Sequence, residues 1–102
     1  MKLPIDTGSV TFAAAGPFQR PDRLLEKIVM GDLANVDFND LIRLIIALGF
    51  REVRRRESHR VFVREGVSEL VNVQSEVGDA KRYQVRQITN LIRRYILKLE
   101  ED

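Results

Sequence analysis

"DFNDLIRLIIALGFREVRRRESHRVFVREG", residues 37–66, changes its hydrophobic period part-way along, and that change decides the fold. Up to Leu48 the apolar side chains recur three and four residues apart: Phe38, Leu41, Ile42, Ile45 and Leu48, with Ile46 widening the stripe. This is the spacing of one helix face. Asp37 is placed to cap the helix, Asp40 suits its first turn, and Gly49 sits at the expected stop. From Phe50 onward, β-branched residues and phenylalanine are interleaved with arginines, and the pattern is that of strands. Three β-rich runs follow: "FREVRRRES" (50–58), "HRVFVRE" (59–65) and "SELVNVQS" (68–75). Glu65-Gly66 predicts a tight hairpin between the second and third.

Outward from this stretch the chain returns to helix on both sides. Upstream, "PDRLLEKIVMG" (21–31) opens on Pro21-Asp22, carries Leu24, Leu25, Ile28 and Val29, and closes on Gly31, which predicts a short helix. Downstream, Val85, Ile88, Leu91, Ile92, Tyr95, Ile96 and Leu99 recur at helical spacing, predicting a long amphipathic helix with Asp79 as a plausible cap. The order α-α-β-β-β-α implies an α+β fold, a three-stranded antiparallel sheet with helices packed on one face and the other face open. Residues 1–21 stand apart as an N-terminal arm, in which "PIDTG" and "AGPFQRP" flank "SVTFAAA". The arm is expected to be disordered or to hold a short strand near Val10–Ala13. Residues 22–102 form the domain.

Composition narrows the functional classes. The 102 residues hold no cysteine and a single histidine, so disulfides, thiolate metal sites and cysteine nucleophiles are excluded, and no cofactor is expected. No apolar run nears the ~20 residues that span a bilayer, and Pro4 and Asp6 break the approach to the short run Val10–Ala15, so no signal peptide is read. A cytoplasmic location without membrane contact is expected. Positive charge is concentrated in one part of the chain. Residues 51–98 carry twelve Lys/Arg against six Asp/Glu, whereas residues 1–50 carry five against six. A basic sheet and last helix are what a phosphate-backbone binder needs, and also what a solvated basic face looks like.

One set of residues goes further. Gly49-Phe50, Ser58-His59, Val61-Phe62, "ELVNVQ" and "KRYQVRQITNLIRRY" occur in that order. The set resembles the HicA family of toxins from type II bacterial toxin–antitoxin modules, over about residues 22–96. The resemblance implies a double-stranded-RNA-binding-like fold and an mRNA interferase, an endoribonuclease without a metal requirement. It also implies a HicB-type antitoxin as partner, and it carries the catalytic role of the family's Gly-Ser-His histidine onto His59. Glu57 stands where the family has glycine. Arg60 and Gln74 stand where many members have further histidines.

The residues themselves supply a chemical rationale. An unperturbed imidazole titrates near pH ~6.5 and suits proton transfer. Guanidinium stays protonated and forks onto phosphate oxygens. His59 is therefore the candidate catalytic residue, with Ser58, Arg54, Arg55, Arg56, Arg60, Lys81, Arg82 and Arg86 as candidate RNA contacts. Each has a plainer reading: His59 as an ordinary strand residue, Ser58 as a turn residue bonding to backbone, and Lys81, Arg82 and Arg86 as the solvated side of a helix. Tyr83 and Tyr95 read as packing residues. Strand parity adds a condition. If Phe62 packs inward, His59 faces out from the open sheet face. If Val61 and Val63 do, His59 lies near the helix termini. Parity also divides the arginines, so at most two of Arg54, Arg55 and Arg56 share a face, and simple alternation puts Arg55 with Val53. Two other functions remain open: an RNA-binding module of this fold that does not cleave, and a protein-interaction module using the basic sheet.

Overall fold

The computed structural model of the chain describes residues 19–100. Nearly all of the expected arm, including the strand considered near Val10–Ala13, lies outside the described residues. Within them the order is α1 (Pro21–Val29), α2 (Phe38–Ala47), β1 (Arg51–Arg56), β2 (His59–Arg64), β3 (Val67–Gln74) and α3 (Arg82–Tyr95). The expected α-α-β-β-β-α order and α+β class are both present. None of the described helices is long and apolar enough to cross a membrane.

The start of α2 is capped as its sequence predicts, with the Asp37 carboxylate accepting the Asp40 N–H at 3.1 Å. Gly49 follows the helix at φ +98°, a left-handed conformation that glycine adopts without cost. Its place is also sterically tight, since a Cβ there would come within 2.5 Å of the Glu100 carboxylate. Asp40 is buried, accepts the Gln19 N–H at 3.1 Å and pairs with Arg43.

The strands form one antiparallel sheet in the order β1-β2-β3. Phe62, fully buried, points to the helices together with Val67, Val71 and Val73. These pack against Leu24 and Ile28 of α1, Leu41, Leu44 and Ile45 of α2, and Val85, Ile88 and Ile92 of α3. Each such large side chain contributes about 1.5–3 kcal/mol by leaving water. On the opposite face His59, Leu70 and Asn72 are exposed, and Val61 is buried among its neighbours there. The helices thus cover one face and leave the other open.

Three expectations are corrected. Leu44 belongs to the buried stripe of α2, while Ile46 is 53% exposed. Asp79 does not cap α3. It bridges to Asp37 in a backbone pairing that ties the α2 entrance to the α3 entrance, with Phe38 N–H donating to the Gly78 carbonyl and Ala80 N–H to that of Val36. Lys81 is the cap position instead, and its N–H donates to the Gln84 side-chain oxygen at 3.3 Å. Finally, α3 ends at Tyr95. Ile96 turns into the left-handed region at φ +53° and is exposed, and the chain folds back so that Leu97 is buried and the Glu100 N–H reaches the Ala47 carbonyl. Helical periodicity continues to Leu99 in the sequence, but closing the core takes precedence over it.

Candidate active site

A two-residue turn, Glu57-Ser58, joins β1 to β2 and places Arg56 opposite His59. Because Phe62 packs inward, alternation sends His59 to the open face. The register then determines its neighbours: Arg54 pairs with Val61, Val61 with Asn72, and His59 with Gln74. Arg54, Val61, Asn72 and His59 line a hollow of about 300 Å³ together with Arg56 and Glu57. Val61 is 8% exposed yet lies outside the helix-side core, so it serves as the apolar floor of this hollow.

A bulge sorts the arginines. Between Glu52 and Arg54 the register slips by one residue, so Val53 is extra in β1. On one side of the slip Arg54 and Arg56 stand with Val61 and His59 on the open face. On the other, Glu52 is opposite Phe62 and shares the helix-side face with Arg55 and Arg60. Strict alternation would put Glu52 and Arg55 on opposite faces and Arg55 with Val53. The bulge overrides it.

Glu52 is held by both of these arginines. Arg55 donates to its two oxygens at 3.0 and 2.8 Å, and Arg60 at 2.9 and 3.1 Å. Hydrogen bonds from Arg55, then Arg60, lower the Glu52 carboxyl to a pKa of about 2. The Arg60 guanidinium also lies over the Phe62 ring, 5.6 Å from its centroid. Arg55 and Arg60 are therefore engaged away from the hollow, whereas Arg54 and Arg56 line it. Arg64 is engaged too, donating to the Leu48 carbonyl at 2.8 Å.

The remaining candidates lie at its margins. Ser58 uses its backbone, its carbonyl accepting the Ser75 N–H at 2.7 Å. The start of α3 is anchored at the same end of the sheet, because buried Gln84 donates from Nε2 to the Gln74 carbonyl at 3.0 Å. That brings Lys81 and Arg82, both exposed, to the end that carries His59. Arg86 faces a different groove, of about 420 Å³, shared with Glu69, Leu70, Tyr83 and Arg94. Tyr95 packs as expected, its hydroxyl donating to Glu69. That bond lowers the Glu69 carboxyl below the usual range. Tyr83 is 60% exposed and does not pack.

Asn72 was not singled out by the sequence pattern. It reaches the hollow through the β2–β3 register, which offsets β3 against β2 by an amount that no local motif encodes. Chemically the hollow has two fixed cations for an anion, one imidazole, one carboxylate, one amide and an apolar floor.

A family model described as the HicA toxin of bacterial toxin-antitoxin matches residues 38–98, more than half of the chain, from the start of α2 to just past α3. No curated protein and no solved structure matches the chain.

Proposed function

From the premise that the chain belongs to the HicA toxin family and is the toxin of a toxin–antitoxin module, we propose that it is an mRNA interferase whose reaction takes place at the His59 hollow and which a HicB-type antitoxin silences. The observation that supports this best is the shared placement of His59, Arg54 and Arg56 on the open sheet face. A phosphodiester set against the two guanidiniums lies beside the only imidazole in the chain. Cleavage by the ribose 2′-hydroxyl then needs a proton moved and the phosphorane charge held, which these groups can do without a metal. The site is open to solvent, so a partner that covers it switches the toxin off. An acidic antitoxin surface would both neutralise the arginines and speed capture. We place this pair in the cytoplasm, where mRNA is the substrate.

The decisive experiment is expression of wild type and His59→Ala with a transcript-cleavage readout. Wild type is expected to arrest growth and cut RNA, and His59→Ala to lose both by about 10²–10⁴-fold. Equal cleavage by the two would remove His59 from the mechanism. A second reading, RNA binding without cleavage, is favoured by one observation: Gln74 faces His59, so the site holds a single imidazole. RNA binding by a wild-type chain that yields no cyclic-phosphate product would establish it.

A further inference from the structure

Transesterification of RNA moves two protons, one off the 2′-hydroxyl and one onto the departing 5′-oxygen. The hollow allows an inventory of the groups able to do this. Arg54 and Arg56 remain protonated at any working pH, and Val61 and Asn72 do not titrate. Gln74, facing His59 from β3, is neutral as well. Two titratable side chains remain, His59 and Glu57. The backbone at Glu57 adds an independent observation. It holds φ at +55°, the left-handed region that glycine enters freely and a glutamate enters at a cost of roughly 1–2 kcal/mol. Strain of this kind at a site wall is a pointer to function.

We propose that Glu57 is the second proton-transfer residue of the reaction, acting as general base while His59 acts as general acid. This deepens the ribonuclease reading and rests on it. The Glu57 carboxylate takes the proton from the 2′-hydroxyl as O2′ bonds to phosphorus. The bond from phosphorus to O5′ breaks, and O5′ takes its proton from the His59 imidazolium. The products are a 2′,3′-cyclic phosphate and a 5′-hydroxyl. Glu57 is left protonated and His59 neutral, and water returns the proton between turnovers. Arg54 and Arg56 face the phosphorane from β1. Two guanidiniums against one carboxylate leave the hollow cationic, so Glu57 does not bar an anionic substrate. The other charged groups on the segment that leads from this end of β3 to α3 are Glu76, Asp79, Lys81 and Arg82, while β3 presents only the amides Asn72 and Gln74.

A reaction that uses both a general base and a general acid has a bell-shaped pH–rate profile, and its acid limb belongs to the base. The test uses full-length protein, a labelled random-sequence RNA pool, and a DNA pool of the same length as control. Glu57→Gln is expected to lose about 10²–10³-fold in cleavage and the acid limb of its pH profile, with RNA affinity unchanged or tighter. Glu57→Asp should recover part of the rate together with the acid limb. Glu57→Gly, which relaxes the turn, should be as slow as Glu57→Gln while melting higher, so that misfolding cannot explain the loss. Cleavage by Glu57→Gln within about threefold of wild type, with the acid limb intact, would overturn the proposal. Wild type that leaves the RNA pool uncut would instead overturn the ribonuclease reading itself, and this assignment with it.

Discussion

Glu57 is where one side chain has the most leverage on the domain. Its left-handed backbone costs energy that glycine would not expend. Glu57→Gly is therefore expected to raise stability by about 1 kcal/mol, roughly 4–8 °C in Tm for a domain of this size, by calorimetry. A lower Tm would mean that the carboxylate makes stabilising contacts outweighing the strain. The sequence shows that a glutamate stands where the resembling family has glycine. It does not show whether the turn keeps the glycine conformation, and that takes the observed dihedral.

At the scale of the element, the β1 bulge and the Glu52 clamp act together. By adding Val53, the bulge brings Glu52 onto the same face as Arg55 and Arg60. The folded-state pKa of about 2 lies below the ordinary 4.5. The unfolded chain therefore takes up a proton on Glu52 at a higher pH than the folded one does. The clamp's contribution is full above about pH 4.5 and is lost as pH falls towards 2. Glu52→Gln is expected to be less stable than wild type at neutral pH, by about 1 kcal/mol because the site is partly exposed to solvent. The Tm gap between the two should close across that acid window. A gap that stays constant down to pH 2 would show that the ion pairs contribute nothing. The strand and hairpin were legible as elements from β-rich runs and the Glu65-Gly66 turn. The bulge was not, because a one-residue slip leaves no signature in composition.

For the whole molecule, the consequence is a division of charge between two faces. Arg54 and Arg56 stand on the open face, Arg55 and Arg60 on the helix side with their charge partly met by Glu52. If RNA binds the open face, removing a phosphate-contacting cation lowers the slope of log affinity against log salt by about 1. Arg54→Ala and Arg56→Ala should each do so, and Arg60→Ala should leave the slope unchanged while lowering Tm. Filter binding over a salt series separates them. Equal slopes for all four variants, Arg55→Ala included, would place the RNA elsewhere, with the groove along α3 that holds Arg86 as the next surface to test.

The sequence by itself determined the element order, the antiparallel meander and the capped α2, because periodicity, an Asp cap and turn residues act over a few neighbouring positions. It also pointed to His59 as the one imidazole among arginines. Only the tertiary structure decided which face His59 occupies, since β2 carries apolar side chains on both. The packing of Phe62 against the three helices resolves that ambiguity. Likewise only the cross-strand register, with its bulge, decided which arginines and which asparagine join it. Those are long-range alignments between strands, and the free energy that selects them comes from filling the shared core rather than from any local run of residues.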